Sequence, residues 1–175
     1  MAHRVTIALL CATLALTGCA RQPTQAASPA PAPASELSLC EAAGARLTKQ
    51  SGARFRIHPS FVTAGLHPME TAAPTIAQRA FIDAFRRGAG VAYADTNVLH
   101  ISSASALLAL PEDERSIYAL SKPPSVRGDT GFVEIFYGEV VGPDASASLS
   151  VVRYVFYRGT DGIWQSVRRL LLYAA

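Results

Sequence analysis

Apolar positions four apart open the patterned part of the chain. Leu39, Ala43 and Leu47 share one face of a helix predicted over residues 38–51, with Ser38 and Glu41 at capping-box spacing and Gly52 beyond its end. Arg54-Phe55-Arg56-Ile57 then alternates polar and apolar, as a half-buried strand does, and stops before Pro59. A second helix is expected over residues 75–87. Ala77, Phe81, Ala84 and Phe85 lie on its inner face, Arg79, Asp83, Arg86 and Arg87 mostly on the other, and Gly88 and Gly90 supply its end. Val91 and Tyr93, then Leu99 and Ile101, read as a hairpin about Asp95-Thr96-Asn97. Pro111-Glu112-Asp113-Glu114 suits the first turn of a third helix, ending by Ser121 before Pro123 and Pro124.

The last third changes period. Residues 132–141, 148–158 and 163–173 are rich in β-branched and aromatic side chains, and the intervening GPDASA and GTDG stretches carry turn chemistry. An antiparallel meander follows. If the loop between Gly159 and Gly162 closes symmetrically, Arg153 faces Arg168, and Glu134 falls diagonal to Arg153 on the same face. Two facing guanidinium groups repel, so Glu134 is expected to neutralise them. Phe132, Phe136, Val151, Val155, Tyr157, Trp164, Leu170 and Leu172 share that face. Val133, Ile135, Tyr137, Val152, Tyr154, Phe156, Val167 and Leu171 occupy the other. Both faces are apolar, so each needs a cover: helices on one, and loops or a partner protein on the other.

The expected class is therefore α+β, with helices and a small mixed sheet followed by a three-stranded antiparallel meander. One domain over residues 38–175 accommodates it: a helix-strand-helix-hairpin part over 38–102, then a helix and the meander over 103–175.

The first residues follow a different logic. A short basic start (His3, Arg4), an apolar run from Val5 to Leu16 and then Leu16-Thr17-Gly18-Cys19 make a stretch too short to cross about 30 Å of hydrocarbon. It reads as a signal peptide over residues 1–18. Leu-Thr-Gly-Cys resembles the lipobox of bacterial lipoproteins in order and position. That resemblance implies that Cys19 becomes the mature N-terminus and carries diacylglyceryl and N-acyl chains, a firm membrane anchor. Ala20 rather than Asp after it implies sorting to the outer membrane, facing the periplasm. Residues 19–37 then form a tether. Its QPTQAASPAPAPAS core cannot build a helix or ladder, because each Pro lacks an amide donor and biases its predecessor toward extended backbone.

Charge and candidate chemistry narrow the function further. Sixteen Lys and Arg against thirteen Asp and Glu leave a formal charge of +3 without a polybasic run, too mild for a nucleic-acid binder. Once Cys11 leaves with the signal and Cys19 is lipidated, Cys40 remains alone and reads as a small buried hydrophobe, with no internal disulfide. His58, His67 and His100 have no metal-ligand spacing, no G-x-S-x-G occurs, and the GAG at Gly88 is a helix end rather than a dinucleotide loop. The reading is thus of a protein that is not an enzyme and needs no cofactor and no metal.

Residues 47–101 add a second resemblance. Leu47, Gln50, Gly52, Phe55 and Ile57, then Ala80, Phe81, Gly88, Gly90, Val91, Tyr93 and Ile101, resemble the short N-terminal domain of secretins and TonB-dependent signalling receptors. That resemblance implies a periplasmic interaction module docking onto another envelope protein, as an accessory component of a secretion or pilus apparatus. Two other functions suit an anchored, tethered domain: an immunity or inhibitor lipoprotein neutralising a toxic enzyme in the periplasm, and a carrier of a small apolar ligand. Arg86, Arg87, Tyr157, Trp164, Arg168 and Arg169 are the candidate partner-binding residues, since Arg and aromatic side chains dominate interface hot spots.

Overall fold

Pro33, with extended backbone, precedes the first helix, α1 (Ala34–Ser51), in a computed structural model that describes residues 32–63, 73–94, 109–111, 115–141 and 146–174. The remaining elements are β1 (Arg56–Ile57), α2 (Ile76–Ala89), β2 (Ser116–Leu120), β3 (Ser125–Arg127), β4 (Thr130–Val141), β5 (Ser146–Arg158) and β6 (Trp164–Ala174). The signal peptide, Cys19, the Asp95-Thr96-Asn97 turn, His67 and His100 lie outside the described residues.

Residues 34–37, expected in the tether, form the first turn of α1, because Ala, Glu and Leu after Pro33 all favour helix. Ser38 is consequently inside the helix and no capping box forms there. Its hydroxyl donates to Ser35 O at 2.9 Å and accepts from Trp164 Nε1 at 3.0 Å. Leu39, Cys40, Ala43, Gly44 and Leu47 make the buried stripe, as the spacing predicts, and Gly52 closes the helix at φ 66° with its N–H on Thr48 O. The capping box appears instead on α2, where Thr75 Oγ1 accepts from Gln78 N and Gln78 Oε1 accepts from Thr75 N. Phe81, Ile82, Ala84, Phe85 and Ala89 are its buried side, and Gly90 ends it in the left-handed conformation.

The helices touch backbone to backbone. A Cβ at Gly44 would come within 2.1 Å of Phe85 O, and one at Gly88 within 2.0 Å of Glu41 O. That approach lets Thr48 Oγ1 donate to Ala89 O at 2.6 Å and Arg87 pair with Glu41 at 2.8 Å.

All described strands join one six-stranded mixed sheet, which corrects the expected division into a small sheet and a separate meander. Its order is β1-β2-β4-β5-β6. β3 pairs with the start of β4 beside β2, β1 runs parallel to β2, and the other pairs are antiparallel. The third helix expected to end by Ser121 is absent from 116–120, where β2 runs. Ile117, Ala119 and Leu120 there belong to three different buried clusters, so neighbours on both faces decide the conformation over the local Pro and acid signal. Tyr93 bridges Ile57 in parallel, and Ala94 N bonds Ile57 O, extending the β1 edge.

Both helices pack on one sheet face. Leu39, Leu47, Phe81 and Phe85 meet Val133, Ile135, Val152, Tyr154 and Phe156 in a single cluster, and Leu39 and Trp164 crowd over Gly131. On the far face Val62 covers Ala119, Phe136 and Val151. The β5–β6 register departs from symmetric closure. Arg158 pairs with Trp164, and irregularities at Val151/Val152 and Val155/Phe156 shift the strands, so Arg153 faces Leu170 and Arg168 faces Val155. Trp164 therefore sits on the helix side and is buried, not on the outer face with Phe132. Glu134 lies directly opposite Arg153 rather than diagonal to it.

Replacing Gly44 or Gly88 by Ala tests the crossing. Helix propensity alone would stabilise by up to about 1 kcal/mol. The clash should instead destabilise by about 1–3 kcal/mol, read as a lowered midpoint in urea unfolding.

Candidate functional site

The six side chains that the sequence nominates for a partner surface divide into two groups. Arg86 lies 5.0 Å from the centre of the Tyr93 ring, whose hydroxyl donates to Asp83, and it reaches Val91 O at 3.4 Å. Arg87 donates through Nε and Nη2 to Glu41 Oε1 at 3.1 and 2.8 Å. Trp164 is buried, bonded to Ser38 and covered by the Arg158 guanidinium at 5.1 Å from its ring centre. These three hold the fold together: Arg86 and Arg87 tie α2 to its surroundings, and Trp164 ties β6 to α1.

Tyr157, Arg168 and Arg169 remain exposed. They stand on β5 and β6 at the open end of the sheet, where β6 is the terminal strand. Around them Val167 and Leu171 are 62% and 63% exposed, an unusual amount of apolar surface for one strand. Among the described residues, the side chains of Arg168 and Arg169 have no hydrogen-bond or ion-pair partner. An eleven-residue edge strand with apolar and cationic side chains, and with a row of backbone groups that no other described strand uses, is a ready template for another strand.

Arg169 also borders a groove that the sequence reading did not identify. Gln50 at the end of α1, Tyr118 of β2, Ile135 and Tyr137 of β4, and Val152 and Tyr154 of β5 line an open depression of about 200 Å³. Tyr118 and Tyr137 stack at 4.6 Å across paired strands, and Phe55 meets Tyr118 edge-on at 4.9 Å. Tyr154 donates to Gln50 Oε1 at 3.1 Å, and the Tyr118 hydroxyl lies 3.1 Å from Ser51 Oγ. Tyr137 and Tyr154 shared a face in the sequence pattern; Tyr118 escaped because its segment reads as helix.

Glu134 is buried, yet ionised. Burial pushes its carboxyl up, but hydrogen bonds from Lys122 and Arg153 and the charges of both outweigh this and hold it below its ordinary value of 4.5. Lys122 Nζ lies 2.8 Å from Oε1, and Arg153 Nε and Nη2 lie at 2.8 and 2.5 Å from the same oxygen. Lys122 takes the place expected of Arg168. Cys40 is fully buried and free. Burial, with the charges of Glu36 and Glu41, pushes its thiol far up, so it is no nucleophile at neutral pH. His58 is buried just after β1 and accepts from Ser60 N at 3.2 Å. Among the described residues no group of three His, Cys, Asp or Glu gathers as metal ligands, and no helix is long and apolar enough to cross a membrane.

No protein-family model, curated protein or solved structure matches the chain. The surface chemistry above is therefore the basis for a functional reading.

The Glu134 ion pairs carry a pH signature. A lowered native pKa stabilises the fold above 4.5, and that stability is lost as pH falls through the native value. Half-exposed partners reduce the worth of the pairs, so Glu134→Gln should cost about 1 kcal/mol at neutral pH. Urea unfolding of both proteins should show this gap closing as pH drops below 4.5.

Proposed function

We propose that the protein is a lipid-anchored, periplasm-facing interaction module of the outer membrane, an accessory component of a secretion or pilus apparatus. It docks another envelope protein by accepting an extended segment along β6. Cys19 carries the anchor, and the Pro/Ala-rich tether gives the domain reach to a partner beyond the lipid surface. The observation that carries this reading is the β6 edge, on which exposed Val167 and Leu171 stand beside Arg168 and Arg169, two cations whose side chains have no partner among the described residues. Main-chain bonds along such an edge supply affinity, and alternate side chains supply specificity. Apolar side chains anchor the segment, and the arginines select acidic or carbonyl-rich neighbours.

The carrier reading fits this surface less well. A small apolar ligand needs an enclosed apolar cavity, whereas the groove beside β6 is open and its rim carries tyrosine hydroxyls, an amide and a guanidinium.

Crosslinked detergent extracts of the native envelope test the proposal. The wild-type chain should co-isolate with a large multimeric envelope complex. A variant with Arg168→Glu and Arg169→Glu should lose it at least about tenfold while keeping its thermal midpoint. Equal recovery by the variant, or a one-to-one complex with a secreted toxic enzyme, would contradict the channel-component reading.

A further inference from the structure

The sheet face turned away from the helices holds a second feature, remote from the groove and independent of the partner reading. Lys122, Ser125 and Arg127, from the β2–β3 connection and β3, join Phe132 of β4 and Arg153 of β5 around a depression of about 190 Å³. Strand register explains the gathering. Ser125 pairs with Phe132 and Arg127 with Thr130, while Glu134, two residues further along β4 on the same face, pairs with Arg153.

Among the described residues, three cations therefore line one depression, and the buried Glu134 carboxylate pairs with two of them. Glu134 spends one oxygen, Oε1, on both Lys122 and Arg153, which fixes those two heads in place without cancelling their combined charge. The Arg127 side chain is exposed and has no hydrogen-bond or ion-pair partner among the described residues. Among these residues the cations outnumber the Glu134 carboxylate by two, with ammonium and guanidinium donors, a serine hydroxyl and an aromatic ring around them.

From this arrangement we propose that the depression binds a phosphate monoester carried on a small headgroup. The charge argues for that class, because a phosphate monoester bears about −1.5 to −2 at pH 7 and a lone carboxylate at most one. Guanidinium donors match its oxygens in pairs. The size argues for a headgroup, since the depression is smaller than the roughly 300–1,000 Å³ of sites that enclose drug-sized ligands. Phe132 offers an apolar wall for the carbon part. A soluble sugar phosphate and a phosphorylated lipid headgroup present the same chemistry.

Amide chemical shifts of Lys122, Ser125, Val126, Arg127 and Arg153 in the full chain test this, with glucose 6-phosphate as the free probe. For the lipid source, the full chain is mixed with nanodiscs of phosphatidylcholine, without and with phosphatidic acid. Saturable shifts with glucose 6-phosphate assign a soluble ester, and shifts only with phosphatidic acid discs assign a lipid headgroup; either supports the site. Arg127→Glu should weaken the response at least about tenfold, and its unchanged thermal midpoint would show that folding is intact. The proposal is overturned by silence toward both probes, by a response that survives Arg127→Glu, or by acetate shifting the same amides with equal affinity.

Discussion

Two glycines facing each other across a helix crossing set the geometry of the whole domain. Gly44 and Gly88 bring α1 and α2 so close that each stands where the other helix would tolerate no Cβ. Helices ordinarily pack 8–10 Å apart, and side chains at the crossing decide where in that range they settle. Here, the absence of side chains lets backbone atoms meet. Thr48 can then reach a carbonyl of the other helix, and Leu39, Leu47, Phe81 and Phe85 come down together on one sheet face. A looser pair would spread these side chains and leave Val133, Ile135 and Val152 partly wet, at roughly 25 cal/mol for each Å² exposed.

The helix pair covers the sheet unevenly, and the candidate surfaces follow from that unevenness. β1 and the segment through Ala94 finish one edge; Val62 seals the far face over Ala119, Phe136 and Val151. Trp164 locks only the start of β6 beneath α1, and from there the strand runs out from under the helices. Its exposed apolar residues and arginines are the consequence. On the far face beyond Val62, the buried Glu134 is tolerable because two cations hydrogen-bond it, and those cations with Arg127 create the basic depression.

Much of this was legible in the sequence where period and local chemistry agree. The stripe of Leu39, Ala43 and Leu47, the inner face of α2 and the three long strands of the meander all stand where their patterns put them. Beyond the helical start at 34–37 and the missing capping box at Ser38, two places failed for identifiable reasons. Residues 116–120 carry no helix, because pairing with β1 and β4 and burial on both faces outweigh the Pro and acidic residues before them. The turn after Arg158 does not close symmetrically. Asp161 Oδ1 accepts from Ile163 N and Gly162 adopts φ 77°, so that Arg158 pairs with Trp164 and Trp164 moves to the opposite face. One shift of register turned a nominated surface residue into core. The basic depression was invisible for a related reason: it needs β3, a three-residue strand too short to leave a period.

The central claim is that β6 is an open edge which a partner strand completes, and hydrogen exchange of its backbone amides tests that most directly. In the free chain, alternate β6 amides not bonded to β5 should exchange rapidly while those of β4 and β5 stay protected. In the partner complex, the same β6 amides should become protected in an every-other-residue pattern. Protection of all β6 amides in the free chain, or no change on complex formation, would contradict the account.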